Sequence, residues 1–83
     1  MYVVSLKRAA ERELERLPTQ VHERIVERLL TLKEDPQPVG VRKLRGREGY
    51  RIRSGNCRVL YLIDDKRKVV EILSVAHHRD VYR

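Results

Sequence analysis

The stretch Gly49-Tyr50-Arg51-Ile52-Arg53-Ser54-Gly55-Asn56-Cys57-Arg58-Val59-Leu60-Tyr61 decides how this chain of 83 residues is read. β-Forming residues on both sides of a Gly-Asn pair are the local signal for a tight hairpin, so two strands are expected to join at Ser54-Gly55-Asn56. Side chains two apart on a strand share a face, which sends Arg51 and Arg53 to one side and Tyr50 and Ile52 to the other. Arg58, just past the turn, is expected to join the arginines on one small surface. Like charges on one sheet face repel and give the fold nothing. The cluster therefore reads as a receptor for an anion.

Charge placement points the same way. The formal charge is +7, yet residues 1–41 carry seven positive and seven negative side chains and balance to zero. Between Arg42 and Arg58, seven cations (Arg42, Lys43, Arg45, Arg47, Arg51, Arg53, Arg58) face Glu48 alone, a local excess of +6. Such asymmetry is the footprint of a surface for nucleic acid or an acidic partner, and RNA is the polyanion expected here.

The length sets one small domain, 1–83, near the lower size at which a core holds without disulfides or metal. Cys57 is the only cysteine, so no disulfide framework is expected, and no Cys/His spacing resembles a zinc site. Neither a metal nor a cofactor is expected. No apolar run approaches the roughly 18 residues of a membrane span, and none follows a basic segment at the N-terminus. A soluble protein of the reducing cytoplasm is the simplest expectation.

Upstream of the hairpin, Tyr2-Val3-Val4-Ser5-Leu6 is a short β-prone run. From Lys7 the period changes: Leu6, Ala10, Leu14 and Leu17 recur at helical spacing, with charged residues on the other face. Pro18 ends this helix and opens the next, expected from Thr19 to Lys33. Val21, Ile25, Leu29 and Leu32 form its apolar stripe, widened by Val26 and Leu30. So short a link makes a helical hairpin whose stripes share one core. Asp35-Pro36-Gln37-Pro38 stops the second helix. A short strand is expected at Val41–Leu44, then a pliable loop from Arg45 to Gly49.

The hairpin strands are expected at Tyr50–Arg53 and Cys57–Ile63. A turn at Asp64-Asp65-Lys66-Arg67 leads to a last strand, Lys68–Val75. Cys57, Val59, Tyr61 and Ile63 share one face of the middle strand, with Leu60 and Leu62 beside Arg58 on the other. Apolar residues on both faces mark it as central. The tail, Ala76 to Arg83, is expected to form one turn.

These elements, with Leu17-Pro18, Asp35-Pro36, Lys43-Leu44-Arg45-Gly46, Tyr50-Arg51-Ile52-Arg53-Ser54-Gly55, Arg58-Val59-Leu60-Tyr61 and the terminal His78-Arg79-Asp80-Val81-Tyr82, resemble the RelE branch of the RelE/ParE toxin superfamily. The resemblance spans nearly the whole chain. It implies an α+β, microbial-RNase-like fold: an N-terminal strand, a helical hairpin, then an antiparallel sheet. It further implies the toxin of a type II toxin-antitoxin pair that acts as an mRNA interferase, a metal-independent endoribonuclease cutting mRNA in the ribosomal A site. Its partners would be the ribosome, mRNA and a cognate antitoxin, RelB-like or other. The ParE branch is similar in pattern and supplies the rival reading, a non-enzymatic inhibitor of DNA gyrase.

Carried over residue by residue, the family's paired basic positions before the turn fall on Arg51 and Arg53, its arginine after the turn on Arg58, and its C-terminal aromatic on Tyr82. Some members have lysine, assigned as general base, where this chain has Arg53; a guanidinium stays charged and suits that role poorly. A catalytic arginine of those members aligns best with His78, and with Arg79 if the register slips by one. Histidine is the natural proton carrier near neutral pH, so His78 is assigned that role, with His77 in reserve. Arg42, Lys43, Arg45, Arg47, His77 and Arg79 are the expected RNA- or ribosome-binding residues. Cys57 reads as a small buried hydrophobe, and Tyr50 and Tyr61 as core aromatics.

Overall fold

The structure, a computed structural model, describes residues 1–77. Strand β1 (Val3–Leu6) leads into helices α1 (Arg8–Glu15) and α2 (Thr19–Glu34). Strands β2 (Arg42–Lys43), β3 (Tyr50–Ser54), β4 (Cys57–Asp64) and β5 (Val69–His77) follow. They form a five-stranded sheet in the order β1-β5-β4-β3-β2. Neighbours pair antiparallel except β1, which lies parallel to β5 with Val3 beside Val69 and Leu6 beside Ile72. The sheet is therefore mixed, and the first strand of the chain is held by the last.

One face of the sheet carries the core. Ile52, Cys57, Val59, Tyr61, Val70, Ile72 and Val75 bury there against Ala10 and Leu14 of α1 and Ile25, Leu29 and Leu32 of α2. The expected stripe of α2 holds at those three positions, but Leu30 stays 54% exposed. At 3.6 residues per turn it lies about 100° around the helix from Leu29, beyond the width that the sheet covers. Tyr61 stacks on Tyr50 with ring centroids 5.9 Å apart and donates its hydroxyl to the Pro36 carbonyl at 2.6 Å. That bond ties the middle strand to the proline segment that ends α2.

Strand β5 runs two residues beyond the expected end at Val75. Ala76 pairs with Arg58 and His77 with Cys57, so the hairpin holds them extended rather than in the expected turn. A bulge at Leu73 shifts the register, so that Leu60 faces Ser74 while Tyr61 faces Ile72. Beyond Ile72, β5 has outrun β1. The Val75 N–H finds a carboxylate instead, donating to Glu13 Oε1 of α1 at 3.0 Å. At the opposite end of the sheet, the Tyr2 hydroxyl donates to Asp65 Oδ1 at 2.6 Å and fastens the N-terminus to the β4–β5 turn. The adjoining Lys68 takes the left-handed φ of 56° that closes that turn.

No helix among the described residues is long and apolar enough to cross a membrane.

Candidate nucleic-acid interface

The β3–β4 hairpin turns at Gly55-Asn56, with a positive φ of 56° at the glycine and not at the asparagine. Glycine at the first central position is the type II′ arrangement, whose twist matches that of the flanking strands. Alternation then separates the strand residues cleanly: Ile52 is buried under the helices, whereas Arg51 and Arg53 are exposed on the other face. Arg58 lies directly opposite Arg53 across the ladder, half-buried. Arg42 lies directly opposite Arg51 on the other side of β3. The face turned away from α1 and α2 thus carries two like-charge cross-strand pairs.

Arg42, Arg51, Ile52, Arg53 and Arg58, with Gly40, enclose a cleft of about 350 Å³. A second depression of about 470 Å³, lined by Arg42, Lys43, Leu44, Arg45 and Arg51, adjoins it. The two meet at Arg42 and Arg51, which line both, so cationic side chains run from one to the other. A guanidinium fork matches phosphate oxygens two at a time, and directly opposed forks match a backbone that presents one phosphate after another. Larger than either, a depression of about 590 Å³ lies toward the β4–β5 turn, where Lys43, Lys66 and Arg67 sit among Glu48, Asp64, Asp65 and Glu71. Mixed sign weakens its field for an anion relative to the arginine cleft.

The expected residues divide as follows. Arg51, Arg53 and Arg58 come together, joined by Arg42, and Arg45 and Lys43 line the adjoining depression. Arg47 is exposed on the loop and lines neither. His77 pairs with Cys57, whose side chain is buried in the core, so His77 projects to the helix-covered face, away from the arginines. Alternation along β5 instead brings Ala76 beside Arg58. His78, Arg79 and Tyr82 lie outside the described residues. Burial pushes the Cys57 thiol up, away from the thiolate, which fits a packing residue. Among the described residues no group of three or more His, Cys, Asp or Glu could hold a metal ion.

The direct opposition of Arg42 and Arg51 is the feature that sequence reasoning missed. It depends on the register set by the loop after β2, which closes through a Leu44 N–H to Gly49 carbonyl bond of 2.9 Å.

A family model described as the ParE toxin of the type II toxin-antitoxin system parDE matches residues 4–82. Toxin RelG of Mycobacterium tuberculosis is 37% identical over 99% of this chain and 97% of its own length. The chain belongs to the RelE/ParE toxin superfamily. Among solved structures, the RelBE2 toxin-antitoxin complex of M. tuberculosis superposes with a TM-score of 0.81 at 35% identity, covering 92% of this chain and 96% of that one. The archaeal RelE–RelB complex from Pyrococcus horikoshii gives 0.83 at 31%, covering 93% and 94%. The isolated E. coli RelE toxin gives 0.81 at 28%, covering 93% of this chain and 84% of that one. The α+β architecture is that of the RelE-like fold, and the protein is a toxin of the type II toxin-antitoxin class.

Proposed function

We propose that this toxin is a ribosome-dependent endoribonuclease that cuts mRNA in the A site and so arrests translation. The observation that carries the reading is the pairing of Arg53 with Arg58 and of Arg51 with Arg42 on the sheet face turned away from α1 and α2. In metal-independent cleavage a ribose 2′-hydroxyl loses its proton, its oxygen bonds to the adjacent phosphorus, and the bond to the departing 5′-oxygen breaks as that oxygen gains a proton. Charge collects on the phosphate between those events. Fixed cations stabilise it best in a shielded site, and this is usually the largest catalytic contribution. Arg58, the half-buried member of the cluster, is the proposed group for that role, with Arg53 and Arg51 lining the same cleft. His78 is the proposed proton carrier, and Tyr82 the aromatic on which an exposed base stacks.

The cytoplasm is the proposed site of action, and a cognate antitoxin of the RelB type the proposed partner. The structural relatives in complex with RelB support the latter. An apolar groove of about 450 Å³ between β1 and α2, including Val4, Val26 and Leu30, suits an amphipathic segment. Acidic residues of the antitoxin are expected to cover the arginine face as well. A complex that left this face open and cleavage unaffected would contradict that expectation.

The test is primer extension on a defined mRNA with translating ribosomes, beside a control without ribosomes. Cuts at A-site codons that need ribosomes support the nuclease. Arg58→Ala is expected to slow them by about 10²–10³-fold, the usual cost of one lost charge-stabilising donor. The match to a ParE family model supports a second reading, a non-enzymatic inhibitor of DNA gyrase. Intact mRNA together with growth arrest and blocked supercoiling would favour it.

A further inference from the structure

Arg24 of α2 reaches the hairpin tip from the side opposite the cleft. Its Nη1 lies 3.6 Å from the point where a Cβ on Gly55 would stand. Arg24, Gly55 and Asn56 are all exposed. On the other face, Arg53 and Arg58 are separated from the turn by the Ser54/Cys57 pair alone. Two residues of strand, about 6.6–6.8 Å, separate Arg53 from Gly55. Three guanidinium groups therefore flank a tip that carries no acidic residue from Ser54 to Cys57 and no side chain larger than Asn56. On α2 the carboxylates nearest Arg24 in sequence are Glu23, one step around the helix, and Glu27, one turn on. A third cation set against a turn already flanked by two is unfavourable in the free protein, and an anion lying across the tip removes that cost.

We propose that the hairpin tip is a further contact for the nucleic-acid backbone. A single strand leaves the Arg51/Arg53/Arg58 cleft, crosses the bare Gly55-Asn56 turn and sets its next phosphate on Arg24. Glycine at the turn keeps the crossing open, and the Asn56 carboxamide supplies a hydrogen-bond donor along it. This contact rests on the reading of the cleft as an RNA site and lengthens that site around the edge of the sheet.

Binding of a labelled 2′-O-methyl oligoribonucleotide, which cannot be cut, tests it by fluorescence anisotropy across a salt series. Each phosphate contact on a single strand contributes about 0.7 to the slope of log K against log salt concentration. Arg24→Ala is expected to reduce the slope by about 0.7, Arg24→Lys to restore it, and Lys66→Ala, at the opposite end of the sheet, to leave it unchanged. Arg24→Ala keeps a good helix former at an exposed position, and circular dichroism confirms the fold. An unchanged slope in Arg24→Ala with a reduced slope in Arg58→Ala overturns the tip contact alone. Unchanged slopes in both overturn the cleft reading with it, and an equal loss in Lys66→Ala overturns the tip contact by showing a general charge effect.

Discussion

Arg53 and Arg58 face each other directly across the β3–β4 ladder, two cations in register on the sheet face turned away from α1 and α2. Directly opposed like charges in a sheet are destabilising. Arg53→Gln is therefore expected to raise stability by a few tenths of a kcal/mol while weakening RNA binding. Thermal unfolding beside an oligonucleotide binding assay checks both halves. Added inorganic phosphate should stabilise the wild type more than the variant, because the anion binds the folded state.

Tyr61 is a second handle, on packing rather than charge. Burial, the neighbouring Tyr50 and Asp35 push its phenol up to about 12, partly offset by Arg28. The folded state thus favours the neutral phenol. Its contribution to stability is full below about pH 10, the ordinary tyrosine value, and is lost as pH rises from there through the folded pKa. Tyr61→Phe removes the bond to the Pro36 carbonyl, is expected to cost about 1 kcal/mol near neutrality, and abolishes this alkaline loss. Denaturant unfolding at neutral and alkaline pH tests the pair of effects.

The carboxylate of Glu13 completes the hydrogen bonding of β5 where β1 has ended. Glu13→Ala is expected to destabilise by about 1.5–3 kcal/mol, the range for a hydrogen bond to a charged group. Glu13→Gln should recover part of that. Hydrogen exchange at the Val75 amide, faster in the alanine variant than global unfolding explains, is the local signature.

Gly49 and Gly46 offer a matched comparison on the loop before β3. A Cβ on Gly49 would stand 3.0 Å from Leu44 Cδ1 and 3.1 Å from the Tyr61 carbonyl oxygen, at a φ of 126°. On Gly46 it would meet nothing within 4 Å, at a φ of 72°. Gly46→Ala carries backbone strain of order 1 kcal/mol, whereas Gly49→Ala adds a clash with backbone and should cost several times more. Melting temperatures of the two variants decide it.

Local signals made much of this fold legible. The Gly55-Asn56 turn, the alternation through Arg51, Ile52 and Arg53, and the stripe of Ile25, Leu29 and Leu32 are each set by residues close to one another in the chain. What escaped depends on distant pairing. Arg42 meets Arg51 only because the intervening loop closes at Gly49, and β1 lies parallel to β5 across most of the chain. Leu30 belongs by composition to the core stripe, yet a sheet facing one side of α2 leaves it outside. His77 shows the same limit: placing it on the helix-covered face required the Leu73 bulge, which no local pattern announces.

The parallel pairing of β1 with β5 also orders events in time. Val3 waits for Val69 and Leu6 for Ile72, so the sheet stays open at one edge until nearly all of the described chain has been made. Contacts so remote in sequence form late and slowly. A toxin of this class thus has a fold that cannot close during most of its own synthesis.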